Sequence, residues 1–146
     1  MGVAILEYKP QETVLFSTCL ETNRAADIPQ RLQTLGSALT EIVVREKPDT
    51  LAIETLFYNK NVKTALGVAQ ARGVVLYLAS TNNLTIHEFS PQQVKVAITG
   101  NGASDKQAVI TMVKRIVREV PKQGHDDEYD AIAVGVTCLA HYGRNR

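Results

Sequence analysis

The sequence predicts an α/β protein, a mixed sheet with helices on its faces, and two patterns carry that prediction. Short runs rich in β-branched residues alternate with longer stretches whose apolar residues recur at helical spacing. Their order is hairpin, helix, strand, helix, strand, helices, which is typical of a mixed sheet covered by helices. With 146 residues, 45% of them apolar, residues 1–146 are expected to form a single domain.

The N-terminal third predicts a hairpin and an amphipathic helix. Residues 3–7 and 14–20 are β-rich runs joined by a short polar turn, which favours two antiparallel strands. Asp27 then provides an N-cap, with Pro29 in the first turn and Gln30 as a capping partner. The helix is expected to end near Lys47.

The middle of the chain predicts strand, helix and strand. Residues 48–54 form a short, largely apolar run that ends in the carboxylate of Glu54, which is typical of a buried strand. A helical face through Leu66 and Gly73 follows to about Ser80, and residues 84–89 predict another strand. Because Gly67 and Gly73 weaken a helix, we expect close backbone approach to a sheet or a partner helix to explain them.

Helices are predicted for the C-terminal part of the chain. Capping boxes at residues 90–93 and 104–107 are expected to open a short helix and a longer one, with a Gly-rich turn between them. The last helix is predicted from about Asp126 to His141, followed by a frayed tail.

The distribution of charge suggests a polyanionic partner. The net charge is +1, yet residues 60–122 hold nine Lys and Arg against three Asp and Glu. Charge alone fits an ordinary solvated surface better.

No apolar run is long enough to span a bilayer and no secretory signal is present, so a cytoplasmic location is expected. Cys19 and Cys138 are interpreted as reduced core residues.

Three carboxylates predict a metal site. Glu54 stands at the carboxyl end of a strand, where ligands of α/β sheets gather, and Asp127 and Asp130 share one face of the last helix. Oxygen donors without a Cys or His pair favour Mg²⁺ or Mn²⁺, ions that catalyse phosphodiester hydrolysis. Acidic residues at a helix start more often serve as capping and solubilising groups, and that reading stays open.

Several motifs occur together and in order over nearly the whole chain. They are Leu51-Ala52-Ile53-Glu54, residues 57–61, residues 65–66, residues 70–73, residues 93–95, Thr99-Gly100-Asn101-Gly102 with Lys106, and residues 127–133. In this combination the chain resembles the RuvC family of Holliday junction resolvases. The resemblance implies a ribonuclease H-like fold and metal-dependent, paired nicking of four-way junction DNA by a homodimer. A branch-migration motor of the RuvA and RuvB type is a further expected partner.

The resemblance also assigns residues. Glu54, Asp127 and Asp130 match three of the family's four catalytic, metal-binding acids, and Lys95 and Lys106 match its basic residues near the scissile phosphate. Phe57, with Tyr58 beside it, matches an aromatic residue that stacks on junction bases; a core position for both is the alternative. The remaining candidates for DNA contact are Lys60, Asn61 and Arg72.

One part of the family pattern has no counterpart. The family opens with a strand carrying an Ile-Asp-Pro-Gly type motif, whose Asp is the fourth metal ligand, whereas residues 1–7 match the segment that follows it. We therefore expect an N-terminally truncated sequence, for instance from a misassigned start codon. The alternatives are a catalytically inactive module that binds branched DNA and a nuclease of the same fold that acts on RNA or flaps.

Overall fold

The computed structural model describes residues 1–56 and 62–143, which divide into two compact units. The first unit comprises Met1–Cys19, Ala52–Thr55 and the chain from Glu88 onward, and the second comprises Leu20–Leu51 and Leu56–His87. The elements are β1 (Gly2–Tyr8), β2 (Glu12–Cys19), α1 (Ile28–Glu46), β3 (Thr50–Glu54), α2 (Val62–Thr81), β4 (Thr85–Phe89), α3 (Pro91–Thr99), α4 (Lys106–Ile116) and α5 (Asp126–Tyr142).

The hairpin of β1 and β2 is the platform for α5. The strands pair antiparallel, with Gly2 opposite Cys19 and Ala4 opposite Ser17, and a bulge interrupts the register between Ile5 and Leu6. A Cβ added to Gly2 would overlap the carbonyl oxygen of Asp127. This close approach of two backbones explains why a glycine stands there.

Helix α5 runs along β1 in the same direction. In the middle of the helix, a Cβ added to Gly135 would lie 2.8 Å from the Leu6 Cδ1 atom. Four strand residues from Gly2 to Leu6 span about 13 Å, and eight helix residues from Asp127 to Gly135 span about 12 Å. The two segments therefore match in length, and the helix lies over the strand.

The core of the first unit is built around α5. Ile132 is fully buried, as is Val113 on α4, and both belong to one apolar cluster. Phe89, Val94 and Ile98 bring β4 and α3 into the same cluster. Helices α3, α4 and α5 are thereby fixed around the hairpin by apolar burial, which is the main favourable term in folding.

Strands β3 and β4 form a second pair. Thr85 N–H donates to the Asp49 carbonyl and Thr55 N–H donates to the Phe89 carbonyl, so residue numbers rise together and the pair is parallel. The bond from Thr55 holds the chain just after Glu54. In the described ranges the predicted mixed sheet is present as these two strand pairs, plus a parallel bridge between Thr13 and Arg118.

The second unit contains α1 and α2 packed against each other. Asp27 caps α1 through a bond from Gln30 N–H, as predicted, and Leu35, Leu39 and Ile42 are buried. Leu66, on the helical face predicted for α2, is 62% exposed. Leu66, Gln70, Gly73 and Tyr77 form an exposed face at helical spacing instead.

The expected close neighbour of two glycines in α2 is not found within the described protein. A Cβ added to Gly67 or Gly73 would have no neighbour within 4 Å in the part of the chain that the structure describes. Close approach within the described protein therefore does not explain either residue.

Two predicted capping boxes have different outcomes. Ser90 and Gln93 form the predicted box at the start of α3. The cap of α4 is Asp105 rather than Ser104, because the Asp105 carboxylate accepts from Ala108 N–H. The Ser104 hydroxyl instead lies 2.7 Å from the Thr99 hydroxyl, which closes the turn between α3 and α4.

No helix among the described residues is both long and apolar enough to span a bilayer.

These glycine environments predict opposite effects of alanine. Gly67→Ala should stabilise the protein against urea by up to about 1 kcal/mol, because it improves helix propensity without a clash. Gly2→Ala should destabilise it by about 2–3 kcal/mol, because the new methyl group overlaps the Asp127 carbonyl. Equal unfolding midpoints for the two variants would contradict this packing.

Candidate active site

The first turn of α5 presents a cluster of acids at a helix N-terminus. Asp126, Asp127 and Glu128 form that turn, and Asp130 lies in the next one. The partial positive charge of the helix N-terminus offsets part of their mutual repulsion. Tyr129 anchors this end of the helix: its hydroxyl donates to the Pro121 carbonyl at 2.8 Å and accepts from Gly124 N–H at 3.0 Å.

Glu54 and Asp130 interact electrostatically across the site. The pKa of Glu54 is raised above its ordinary value, first by partial removal of its carboxyl group from water and then by the negative charge of Asp130. Glu54 ends β3 and Asp130 lies on α5, so the strand end and the helix bring two carboxylates together. Two ionised carboxylates so placed repel each other, and a bound cation would relieve that repulsion.

Lys106 supplies a positive charge at the same place. Its Nζ atom lies 3.0 Å from Asp130 Oδ2 and 3.4 Å from Asp126 Oδ2. The hydrogen bond to Asp130 is the main cause that raises the pKa of Lys106, so this side chain is protonated at neutral pH. Lys106 begins α4, and the Asp105 cap sets the position of its backbone.

Asp127 has different neighbours. Its Oδ2 atom lies 3.5 Å from the nitrogen of Met1 and 3.9 Å from the Cys19 Sγ atom. Cys19 is half-buried rather than a core residue, whereas Cys138 is buried in the core as predicted. Asp127 thus faces the ends of β1 and β2, with its side chain 55% exposed.

Glu128 is a residue of this site that the sequence reasoning missed. It is only 8% exposed; its carboxylate accepts from the Ser17 hydroxyl at 2.8 Å and from His125 N–H at 3.2 Å. A Glu three positions after a helix cap is a recognised capping pattern, and that signal was available at residues 125–128. The contact with Ser17, 111 positions away, has no local signal.

The carboxylates of the candidate site fit a hard divalent cation in their chemistry but not in their arrangement. Glu54, Asp127 and Asp130 offer carboxylate oxygens only, which is what Mg²⁺ and Mn²⁺ prefer. The repulsion between Glu54 and Asp130 is the observation that fits a cation. In residues 1–56 and 62–143, however, no three acidic, His or Cys side chains converge into a preformed metal site.

The other predicted site residues are less closely connected. Lys95 lies half-buried on α3, in the same unit as the acids. Arg72 lies half-buried on α2 in the second unit. The predicted DNA contacts at Phe57, Tyr58, Lys60 and Asn61 lie outside the described residues.

Comparison with known proteins assigns the family. The family model described as "Crossover junction endodeoxyribonuclease RuvC" matches residues 1–138. The chain belongs to the RuvC family. A RuvC from Moorella thermoacetica is 39% identical over 97% of this chain and 85% of its own length, and one from Alkaliphilus oremlandii is 41% identical over 98% and 87%.

Solved structures of RuvC have the same fold. One described as "Thermus thermophilus RuvC structure" aligns with a TM-score of 0.80 and 28% identity over 98% of this chain and 87% of that chain. One described as "T. thermophilus RuvC in complex with Holliday junction substrate" aligns with a TM-score of 0.85 and 26% identity over 98% and 86%. The predicted RuvC resemblance and ribonuclease H-like fold are therefore confirmed.

RuvC membership also confirms the predicted enzyme class, a crossover junction endodeoxyribonuclease. The two relatives match 97% and 98% of this chain, and this chain covers 85% and 87% of their own lengths. The site assignments and the single-domain organisation stay predictions.

The raised pKa of Glu54 predicts a pH-dependent effect of Glu54→Gln on stability. Ionising Glu54 in the fold costs free energy, and that cost is absent below its ordinary pKa of 4.5 and fully present above the raised value. Wild type therefore loses stability as pH rises through this window, whereas the Gln variant does not. Without divalent metal, Glu54→Gln should unfold about 2 °C higher at pH 7.5 and at the same temperature as wild type near pH 3.5. A lower unfolding temperature for the variant at pH 7.5 would contradict the prediction.

Proposed function

We propose that this protein is a metal-dependent endonuclease that resolves four-way DNA junctions by paired, symmetric nicks. Membership of the RuvC family supports this, as does the solved RuvC that is described in complex with a Holliday junction substrate. The single observation that carries the proposal is that Lys106 pairs with Asp130, whose negative charge also acts on Glu54 at the end of β3. Two acids and a protonated amine are the groups that hydrolysis of a phosphodiester needs.

Glu54, Asp130 and Asp127 would hold the divalent cation, Mg²⁺ or Mn²⁺. When bound, such an ion activates water as a nucleophile and stabilises negative charge on the reacting phosphate. The carboxylates of this chain bind and orient it, and the charge repulsion between Glu54 and Asp130 favours its uptake. Because the pKa of Glu54 is raised, cation binding should weaken as pH falls into the range where this group takes up a proton.

The lysines would bind the phosphate. Lys106 stays protonated and lies beside Asp130, so its ammonium can pair with a non-bridging phosphate oxygen near the acids. Lys95, on α3 of the same unit, is the second proposed phosphate contact. Such contacts stabilise the charge that develops during cleavage.

The DNA contacts would follow directly from the end of β3. Phe57 and Tyr58 come within four positions of Glu54, so the residues proposed to stack on a junction base are close to this acid in the sequence. Stacking on an aromatic ring contributes about 1–3 kcal/mol for each base. Lys60, Asn61 and Arg72 are proposed to contact the backbone of the DNA.

A homodimer is part of the proposal, because paired nicks need two active sites. The exposed face of α2 supports it: Leu66 is 62% and Tyr77 68% exposed, and Gly73 on the same face has no close neighbour in the described protein. Small residues beside large apolar ones allow another helix to approach closely. We place the enzyme in the cytoplasm with the DNA, where a motor of the RuvA and RuvB type could deliver junctions to it.

One observation favours a second candidate function. The described residues contain no preformed cluster of three metal-binding groups. A module that binds branched DNA without cutting it is therefore the alternative.

Substitution of one acid distinguishes the two functions. Wild type should nick a synthetic four-way junction in Mg²⁺ or Mn²⁺, and Asp127→Asn should cut at least about 100-fold more slowly. Its affinity for the junction, measured without divalent metal, should stay within about twofold of wild type, because Asp127 is a proposed metal ligand and not a phosphate contact. Binding by wild type without any nicking would favour the inactive module, and normal cutting by Asp127→Asn would refute the assigned site.

A charged side chain introduced on the exposed face of α2 tests whether that face is the dimer interface. Tyr77→Lys should convert the dimer to monomer at micromolar concentration, because a buried unpaired charge at an apolar interface is costly. Leu15→Lys is the matched control, since Leu15 is 53% exposed on β2 in the other unit. Sedimentation velocity measures both. A Tyr77→Lys protein that remains dimeric would show that this face is not the interface.

A further inference from the structure

Glu128 is the only acidic or basic side chain that is buried in the described part of the protein, at 8% exposure. It stands between two proposed metal ligands, Asp127 and Asp130, yet it takes no part in the arrangement described for them. A buried carboxylate is costly unless its oxygens are paired, so its retention beside exposed acids requires a physical reason.

Both oxygens of this carboxylate are paired. Oε2 accepts from the Ser17 hydroxyl at 2.8 Å, and Oε1 accepts from His125 N–H at 3.2 Å. Hydrogen bonds to a charged acceptor are stronger than neutral ones. The Glu128 side chain therefore ties the start of α5 to β2 and, through His125, to its own N-cap.

The same strand end contacts Asp127. Ser17 and Cys19 are two apart on β2 and so point to one face, where Ser17 contacts Glu128 and the Cys19 Sγ atom lies 3.9 Å from Asp127 Oδ2. On β1, Gly2 opposite Cys19 allows the backbone of Asp127 to approach. The first turn of α5 is thus held against the hairpin by these contacts and by the Met1 nitrogen, which lies 3.5 Å from Asp127 Oδ2; the hydrogen bond from Ser17 to Glu128 is the shortest of the polar contacts.

We propose that Ser17 and Glu128 are positioning residues that hold the first turn of α5 so that Asp127 and Asp130 are in register for cleavage. The inference rests on the proposed nuclease function. Ser17 and Glu128 touch neither metal nor DNA; they act through the helix backbone. A shift of about 1 Å in a group that orients reacting atoms can cost about 100-fold in rate.

Variants of Glu128 and Ser17 separate the effect of the hydrogen bonds from the effect of the charge on Glu128. Glu128→Ala removes both bonds, and Ser17→Ala removes one of them. Glu128→Gln removes the charge but retains both contacts, because its carbonyl oxygen can accept from His125 N–H while its amide donates to the Ser17 hydroxyl. Thr137→Val is the matched control: this fully buried hydroxyl donates to the Ala133 carbonyl at 2.8 Å, ten positions after Asp127 on the same helix.

Each full-length variant is measured in three ways. Single-turnover cleavage of a synthetic four-way junction is followed against Mg²⁺ concentration. Mn²⁺ affinity is measured by calorimetry without DNA. Hydrogen exchange of the amides at residues 125–130 reports the anchoring itself.

Glu128→Ala and Ser17→Ala should each slow cleavage about tenfold or more, raise the Mg²⁺ concentration for half-maximal rate, and weaken Mn²⁺ binding several-fold. Exchange at residues 125–130 should accelerate, and junction affinity without metal should stay within about twofold. Glu128→Gln should recover the rate to within about threefold of wild type. The double variant Ser17→Ala/Glu128→Ala should be no slower than Glu128→Ala, because the two side chains act as one unit.

Three results would overturn the proposal. An unchanged rate and unchanged exchange in Glu128→Ala would show that the contact positions nothing. An equal loss of rate and Mn²⁺ affinity in Thr137→Val would show a general effect of destabilisation. A Glu128→Gln variant as slow as Glu128→Ala would assign the effect to charge. Failure of the nuclease function is distinguishable, since wild type would then not cut although Mn²⁺ affinity and exchange still responded to Ser17→Ala.

Discussion

The candidate site depends on the packing of the first turn of α5 against the ends of β1 and β2. At Gly2 the strand backbone approaches the Asp127 carbonyl so closely that no side chain fits between them. Ala4 and Ser17, paired across the hairpin next to Gly2 and Cys19, keep this end of the platform free of bulky groups. Apolar burial around Ile132 fixes the helix axis, and the small residues of the hairpin fix its height above the strands.

The same packing creates an electrostatic problem. It brings Asp126, Asp127, Glu128 and Asp130 to one place, and β3 adds Glu54. The helix N-terminus, Lys106 and the donors to Glu128 compensate these negative charges only in part. Partial burial is the first cause that raises the pKa of Glu54, and the negative charge of Asp130 is the second. A surplus of negative charge within a fixed arrangement is a physical basis for cation uptake, and it is more specific than the acidic sequence alone.

Local patterns were sufficient to predict most elements but not their contacts. The hairpin, the caps at Asp27 and Ser90 and the start of α5 near Asp126 follow from turn residues and hydrophobic period, which depend on neighbours in sequence. The apolar face predicted for α2 is exposed at Leu66. The spacing of apolar residues in a helix is the same whether they pack against the core of the protein or against another surface. The prediction of Ser104 as the N-cap of α4 was wrong for two reasons. The Ser104 hydroxyl bonds to the Thr99 hydroxyl instead, and Asp105 is an equally good cap one position later. Glu54, Asp130 and Lys106 were predicted from strand-end position and from the family motifs, whereas Ser17 was not, since nothing local marks a serine in a strand as a partner for a distant acid.

Helix geometry explains why neighbouring acids of α5 have different roles. Each residue turns the helix by about 100°, so Asp126 and Asp130 lie on nearly the same side, and Lys106 contacts both. Asp127 is displaced by about 60° from Asp130, which leaves it beside the strand ends and still near the same edge of the helix. Glu128 is turned a further 100° or so away, toward β2, where Ser17 pairs it and burial excludes it from solvent. An acidic run that looks uniform in sequence is therefore divided by the helix into acids that pair with a lysine, an acid beside the strand ends and a buried acid that bonds to β2.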